Sequence, residues 1–257
     1  EWAAENLGKF TKKETPILLL TKGLSLIDNK YKTLADKLNN LLLKNGQKKT
    51  NITAVGGPCL ASGLANRIRS SVILANPDLH IAKKISKIIS TKYYTTEISD
   101  DLIGVEVCAA VKNIYSMIIG ASEGLSSEKA SKEIKKNNFL NTAASLMYQS
   151  ISEMVFFTKS LGGKESTVFG LAGLGDLYVS SAGGRNSRMG KYLGYGMSYR
   201  DAKKTHMSKE TIEGAELAIE IGPQIIKDYD RSKLPLMMNI IDAISNNKKL
   251  ELNWINK

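Results

Sequence analysis

A long run of apolar residues in the middle of this chain constrains its fold more than any other feature. Between Asp101 and Gly120, apolar side chains occupy nearly every face of a helical wheel, which predicts a helix over 101–121 buried on all sides. The polar residues Lys112 and Asn113 interrupt its middle. A lysine there either extends to the surface or lies buried, where it is a candidate proton donor. We favour burial, because Lys112 is far from both helix ends.

The pattern changes near residue 100. Short apolar runs predict strands at 15–24, 51–57, 70–76 and 93–97, with helices at 31–44 and 78–90 between them. Afterwards the pattern is helical, over 101–121, 128–134, 137–162, 187–194, 198–206, 210–227 and 235–246. Alternating strands and helices predict a parallel sheet. We therefore expect an α/β domain over 1–99 and an all-α domain over 100–257.

A glycine-rich segment, Gly170–Asp176, is followed by the tripeptide Gly184-Arg185-Asn186. Glycine permits close backbone approach, and arginine presents a planar fork to phosphate oxygens. This combination predicts a pocket for a small anion. The alternative is structural, because glycine-rich turns that end in Asp are common helix N-caps.

A third segment, Pro16–Leu24, reads as a buried strand that ends in Thr21-Lys22-Gly23. Open α/β sheets bind ligands at the carboxyl ends of their parallel strands. Lys22 is therefore a candidate site residue, although a Lys-Gly pair is also an ordinary way for a strand to end.

Together these segments resemble the NAD(P)-dependent glycerol-3-phosphate dehydrogenases. The matching pieces, in order, are Thr21-Lys22-Gly23, Gly57-Pro58-Cys59-Leu60-Ala61, Gly104-Val105-Glu106, Val111-Lys112-Asn113, Glu153-Met154, Gly170–Leu177, Gly183-Gly184-Arg185-Asn186 and Thr211-Ile212-Glu213-Gly214. Several ordered matches are far more specific than a single motif. The resemblance implies part of a Rossmann-type parallel sheet followed by a helical domain like the C-terminal domain of 6-phosphogluconate dehydrogenase.

The resemblance also implies a reaction, the reversible transfer of a hydride between NAD or NADP and dihydroxyacetone phosphate. The product would be sn-glycerol 3-phosphate for glycerophospholipid synthesis. By matching position, the implied catalytic residues are Lys112 as proton donor, Asp176 as the group that holds its ammonium, and Lys22. The implied substrate-binding residues are Lys22, Lys112, Asn113, Asp176, Ser180, Arg185 and Asn186, and the implied cofactor contacts are Ala61, Arg185 and Glu213.

One part of the family pattern is missing. The strand, G-x-G-x-x-G turn and helix that hold a dinucleotide pyrophosphate do not occur before Lys22. We therefore expect residues 1–257 alone to bind NADH very weakly and to show no dehydrogenase activity. Two alternatives stay open: a non-catalytic helical dimerisation module of the same family, and a related hydroxyacid dehydrogenase.

The remaining expectations concern partners and location. The formal net charge is +11, but the lysines are scattered over amphipathic runs, so we predict no nucleic-acid partner. We also expect no membrane span and no metal site, with His80 and His206 at the surface. Two cysteines, Cys59 and Cys108, are too few for a disulfide framework. We predict a cytoplasmic homodimer that acts on a small-molecule substrate.

Overall fold

The structure is a computed structural model that describes residues 2–10, 15–47, 50–127 and 139–252. The chain forms two compact units. The first comprises Glu1–Ala109 and Thr158–Asp176, and the second comprises Ala110–Phe157 and Leu177–Lys257. The domain boundary near residue 100 stays a prediction.

The described elements are six strands and twelve α-helices. The strands are β1 Ile17–Leu19, β2 Leu24–Ile27, β3 Lys30–Thr33, β4 Ile52–Gly56, β5 Ser70–Ala75 and β6 Tyr94–Ser99. The helices are α1 Trp2–Phe10, α2 Leu34–Lys44, α3 Ala61–Ala65, α4 Leu79–Ile89, α5 Leu102–Ser127, α6 Leu140–Ser160, α7 Glu165–Phe169, α8 Asp176–Ser181, α9 Arg185–Gly194, α10 Tyr199–His206, α11 Glu213–Asp228 and α12 Pro235–Ser245. A π-helical turn, Leu171–Gly175, precedes α8.

The first unit contains a four-stranded sheet with the order β1-β4-β5-β6. The pairs β1/β4 and β5/β6 are parallel, as predicted, but β4 and β5 pair antiparallel. The expectation of an entirely parallel sheet is therefore wrong at this one pairing. Parallel neighbours are usually joined by a crossover helix that runs back along the sheet. The link from β4 to β5 contains only the five-residue helix α3, so no full crossover is formed there.

A second difference lies directly after β1. The predicted strand 15–24 ends at Leu19, and β2 and β3 form a separate antiparallel hairpin in which Leu24 pairs with Thr33. The predicted helix 31–44 accordingly begins later, at Leu34. The hairpin turns at Asp28 and Asn29, which both have positive φ. Asp and Asn tolerate this left-handed conformation better than most residues, which favours a tight turn.

The core of the first unit includes one face of α2 packed beside the sheet. Ala35, Leu38 and Leu42 on α2 are buried in one cluster with Ile52 of β4. Thr33 caps this helix, since its hydroxyl accepts a hydrogen bond from Asp36 N–H at 3.1 Å. The start of α2 is therefore fixed by both packing and capping.

The second unit is helical in its described residues, as predicted. The predicted helices over 187–194, 198–206, 210–227 and 235–246 correspond to α9 to α12, and 137–162 corresponds to α6 in its described part. The predicted helix 128–134 lies outside the described residues. Helices α1, α3, α7 and α8 were not predicted, and all four are short.

Helices α5 and α9 pack with their backbones in contact. A Cβ atom on Gly190 would lie 1.9 Å from the carbonyl oxygen of Met117, and one on Gly194 would lie 2.2 Å from that of Ala121. A Cβ on Gly120 would similarly meet the carbonyl oxygen of Ser187. These positions have no space for any larger residue. Glycine therefore brings the helix of Lys112 against the helix that begins at Arg185.

Within the described residues, one segment is long and apolar enough to cross a membrane, namely Leu102–Leu125. In the structure, 83% of its apolar window is buried inside the protein. This is the setting predicted for a core helix. The expectation of no membrane span stays a prediction.

Candidate active site

Lys22 and Asp176 form an ion pair within the first unit. Lys22 follows the carboxyl end of β1, and its Nζ donates to Asp176 Oδ2 at 3.0 Å. The Asp176 side chain is 4% exposed and that of Lys22 is 31% exposed. Asp176 is thus nearly buried, while the lysine stays accessible to a ligand.

The glycine-rich segment before Asp176 is closely packed against its own chain. A Cβ on Gly173 would lie 2.0 Å from the carbonyl oxygen of Val168, so a side chain there is excluded. The Cβ position of Gly175 lies 3.4 Å from Pro58, in ordinary contact. Gly173 therefore lets the π-helical turn pack against Val168, and this turn leads to Asp176 at the start of α8. The anion pocket proposed for this segment stays a prediction.

Lys112 lies in the second unit and is buried, as predicted. It is 7% exposed, between the fully buried residues Val111 and Ile114 of α5. Its Nζ donates to Ser180 Oγ at 2.8 Å. A buried ammonium held by a hydroxyl has the properties expected of a proton donor to a substrate oxygen. The role of Asp176 in holding Lys112 stays a prediction.

Arg185 and Glu213 form a partly exposed ion pair at the starts of α9 and α11. Arg185 is the first residue of α9, whose N-cap, Gly184, provides no side-chain cap. The first amides of a helix lack intrahelical acceptors and carry positive partial charge. This end of α9 therefore combines a guanidinium with backbone donors, an arrangement suited to a phosphate group.

The side chain of Asn186 joins three helices of the second unit. Its Oδ1 accepts from Gly214 N–H at 2.8 Å, and its Nδ2 donates to Asn113 Oδ1 at 3.2 Å and to Glu213 Oε2 at 3.4 Å. Asn186 is 6% exposed. Both ends of the amide are thus occupied by the protein, so a contact from Asn186 to phosphate would come from its backbone. Its role as a substrate ligand stays a prediction.

Burial perturbs one carboxyl group in each of the two units. Burial raises the pKa of Glu106 in the first unit to about 7 and that of Glu153 in the second unit to about 7. Glu106 accepts from Ala35 N–H, and Glu153 accepts from Leu236 and Met237 N–H at the start of α12. These hydrogen bonds favour the ionised form and partly oppose the effect of burial.

Sequence reasoning did not assign a role to Asp101 or Lys203. Asp101 is 5% exposed and accepts three hydrogen bonds in the first unit. Lys203 donates to the carbonyl oxygens of Met207 and Glu210, and so fixes the loop before Glu213. For Asp101, a charged residue at the edge of an apolar run was the available signal. Lys203 sits in an ordinary amphipathic helix, so its sequence position gave no such signal.

The structure also shows the surroundings of Ala61, the two histidines and Cys108. Ala61 is the first residue of the short helix α3 in the first unit and is exposed. His80 and His206 are both exposed, as expected of surface histidines. In the described ranges, no three or more His, Cys, Asp or Glu side chains form a group that could hold a metal ion. Burial raises the pKa of the Cys108 thiol to about 12, which suppresses its reactivity.

Comparison with known families identifies the second part of the chain. Residues 101–253 match the model of the NAD-dependent glycerol-3-phosphate dehydrogenase C-terminus. A glycerol-3-phosphate dehydrogenase [NAD(P)+] of Rickettsia prowazekii is 32% identical over 238 residues, which is 90% of this chain and 68% of that protein. The chain belongs to the NAD-dependent glycerol-3-phosphate dehydrogenase family.

Two further members of this glycerol-3-phosphate dehydrogenase family extend the comparison. An NADP(+)-dependent enzyme of Archaeoglobus fulgidus is 34% identical over 190 residues, which is 74% of this chain but 54% of the relative. The chain thus spans about half the length of that relative. The crystal structure of glycerol-3-phosphate dehydrogenase from Coxiella burnetii superimposes with a TM-score of 0.76 at 25% identity, covering 96% of this chain and 70% of that one. The predicted fold class, a small sheet followed by a helical region, is confirmed.

The matched family segment contains most of the candidate site residues. It includes Lys112, Asp176, Arg185 and Glu213. Lys22 and Ala61 precede it, in the α/β part of the chain. The sequence resemblance and the family match therefore agree on the segment that carries the proposed proton donor.

Proposed function

We propose that this protein is an NAD(P)-dependent glycerol-3-phosphate dehydrogenase, which reversibly reduces dihydroxyacetone phosphate to sn-glycerol 3-phosphate. The observation that carries the proposal is the burial of Lys112 in α5, with its Nζ 2.8 Å from Ser180 Oγ. The same helix packs through glycine against α9, which begins at Arg185. One unit thus supplies both a proton donor and a phosphate-binding helix end.

Lys112 is the proposed general acid. Reduction of a carbonyl places negative charge on its oxygen, and a buried ammonium both stabilises that charge and supplies the proton. In the oxidation direction the neutral amine would accept the proton. Ser180 orients the ammonium, since its hydroxyl accepts one of the three Nζ–H bonds.

The Lys22–Asp176 pair is the proposed second charged element. Lys22 retains an accessible ammonium and could bind the substrate hydroxyl or carbonyl, while Asp176 holds its Nζ at 3.0 Å. A lysine has three N–H donors, so the ion pair leaves donors for a ligand. Arg185 and the first amides of α9 would bind the phosphate.

A nicotinamide nucleotide, NAD or NADP, supplies and receives the hydride when it is bound. The pair formed by Arg185 and Glu213 fits the carboxamide of such a group, because it offers a donor and an acceptor side by side on accessible side chains. Ala61 is exposed and lacks a side chain that would obstruct a flat ligand. We propose these three residues as cofactor contacts.

The cellular setting follows from this chemistry. We propose that the product supplies the glycerol backbone of glycerophospholipids and that the protein acts in the cytoplasm as a homodimer. Two free cysteines, one buried and one half-buried, are compatible with a reducing compartment.

The test is an assay of NADH and NADPH oxidation by the complete gene product with dihydroxyacetone phosphate. Lys112→Ala should lower kcat by about 10²–10⁴-fold, the usual contribution of a general acid. Lys227→Ala, an exposed lysine on α11, is the matched control and should leave kcat unchanged. A Lys112→Ala enzyme with wild-type kcat would refute the assignment. Absence of any reaction would favour the non-catalytic dimerisation module instead.

A further inference from the structure

Two buried carboxylates lie at the start of α5 in the first unit and are not part of the proposed chemistry. Asp101 is 5% exposed and Glu106 is 2% exposed. Burying an ionisable group is costly unless it is fully hydrogen bonded. Both are hydrogen bonded to other parts of the first unit.

Asp101 holds the segment that leads to Asp176. Its Oδ2 accepts from Lys164 N–H at 2.8 Å and from Thr167 Oγ1 at 2.5 Å, while its Oδ1 accepts from Gly104 N–H at 2.9 Å. Lys164 is the N-cap of α7, and Thr167 lies within that helix. One carboxylate thus ties α7 to the first turn of α5.

From Thr167 the chain continues to Asp176 through a compact path. Gly170 N–H donates to Thr167 O at 3.2 Å, and Gly175 N–H donates to Gly170 O at 3.2 Å. Gly173 packs directly on the backbone of Val168. The backbone between Thr167, which Asp101 holds, and Asp176, which pairs with Lys22, therefore has little conformational freedom.

Glu106 is hydrogen bonded to the start of α2, on the Lys22 side of the Lys22–Asp176 ion pair. Ala35 N–H lies 3.2 Å from each of its two carboxylate oxygens, and the hydroxyl of Thr33 also hydrogen bonds to it. These two residues flank the first position of α2. A carboxylate at the start of a helix is favoured by the partial positive charge there.

The start of α2 is in turn coupled to Lys22. Thr33 pairs with Leu24 across the β2–β3 hairpin. A Cβ on Gly23 would lie 3.0 Å from Leu34 Cδ1, so the backbone next to Lys22 rests on the first residue of α2. Both contacts transmit the position of α2 to Lys22.

We propose that Asp101 and Glu106 are positioning residues that jointly fix the Lys22–Asp176 pair, one through α7 and the other through α2. Asp101 directly precedes α5 and Glu106 lies near its start, so one helix start provides a common frame for two segments distant in sequence. An ion pair with a partly exposed lysine is weak unless its partners are preorganised. The catalytic relevance of this frame rests on the proposed function, but the frame itself can be tested without any reaction.

The experiment measures how fast Lys22 is acetylated at mildly alkaline pH, by peptide mass spectrometry on the purified chain. The exposed Lys84 of α4 serves as internal standard. Asp176→Asn removes the partner of Lys22 and defines the largest rate increase. We expect Asp101→Asn and Glu106→Gln each to raise the Lys22 rate severalfold towards that limit, because loss of a pair worth about 1 kcal/mol is roughly a fivefold effect.

The matched control is Asp100→Asn, which removes a carboxylate next to Asp101. Asp100 is exposed and pairs with the side chain of Lys164 at 2.6 Å. This variant should raise the acetylation of Lys164 but leave that of Lys22 unchanged. An equal rise at Lys22 would show a general charge effect and would overturn the proposal, as would wild-type Lys22 rates in both Asp101→Asn and Glu106→Gln.

Hydroxyl variants keep the test decisive if a carboxylate variant fails to fold. Thr167→Val removes one donor to Asp101, and Thr33→Val removes one donor to Glu106 together with the side-chain cap of α2. Both should raise the Lys22 rate with retained circular dichroism, and Thr167→Ser should restore it. Unchanged rates in both valine variants would overturn the proposal. A failure of the dehydrogenase assay alone would refute the proposed function and leave this result intact.

Discussion

Titration of Glu153 should make the second unit less stable as the pH rises. Burial raises the pKa of Glu153 from 4.5 to about 7, so between these values the folded state retains a proton that the unfolded state has released. The stabilisation is complete below the unfolded-state pKa and is lost as the pH rises through the folded-state pKa. The shift corresponds to about 3 kcal/mol.

The structure explains the direction of this effect. Glu153 is 1% exposed and contacts Tyr115 Oη at 3.3 Å. It also accepts from Leu236 N–H at 2.9 Å and Met237 N–H at 3.0 Å. These donors favour the carboxylate, but loss of hydration outweighs them. Glu153→Gln keeps the shape and one acceptor while removing the titration.

The assay is urea unfolding of wild type and Glu153→Gln across this pH range, followed by circular dichroism. As the pH rises through this range, the unfolding free energy of wild type should fall by about 3 kcal/mol relative to that of Glu153→Gln. Glu220→Gln, at an exposed position on α11, is the control and should show no such trend. The reasoning would be refuted if the difference in unfolding free energy between wild type and Glu153→Gln did not change with pH, or if wild type gained stability relative to the variant as the pH rose.

Three further predictions concern the site and the helices that carry it. Arg185→Ala should weaken apparent binding of dihydroxyacetone phosphate by about 2–4 kcal/mol, measured as a rise in KM, because it removes a charge-assisted contact to phosphate; an unchanged KM would place the phosphate elsewhere. Gly190→Ala should destabilise the chain by about 1–3 kcal/mol or more in urea unfolding, since its Cβ would lie 1.9 Å from Met117 O. Its control is Gly63→Ala, whose Cβ would lie 4.0 Å from Ile68 Cβ in ordinary contact, and this variant should be neutral or stabilise by up to about 1 kcal/mol. Asn186→Ala should cost about 1–3 kcal/mol in the same measurement, because a buried backbone donor loses its acceptor.

Much of the fold could be predicted from the sequence because local patterns dominate it. The apolar run of α5 specifies a buried helix wherever it packs, and the helical periodicities of α9 to α12 survive in the structure. The hairpin formed by β2 and β3 was missed, because the apolar run of Pro16–Leu24 continues across the end of β1. The antiparallel pairing of β4 with β5 was also missed, since the apolar pattern of a strand does not specify the direction in which its neighbour runs.

For the candidate site, too, the sequence predicted some features and only the structure revealed the others. Residue types and order, together with the family resemblance, sufficed to nominate Lys22, Lys112, Asp176 and Arg185 as site candidates, and their roles stay predictions. The hydrogen-bond partners of these residues could not be predicted from the sequence. That Asp176 holds Lys22 and that Ser180 holds Lys112 depends on distances between residues far apart in sequence.

The sequence by itself determined the class of fold, the family and the chemical groups available for reaction. These are properties of residue identity, spacing and periodicity, which any conformation of the chain retains. Only the tertiary structure decided which acceptor each buried donor uses: Asp101 for α7, Glu106 for α2, and Asn186 for the junction of α5, α9 and α11. The physical reason is that a buried polar group must find a partner within about 3 Å, and that partner is set by packing and not by separation along the chain.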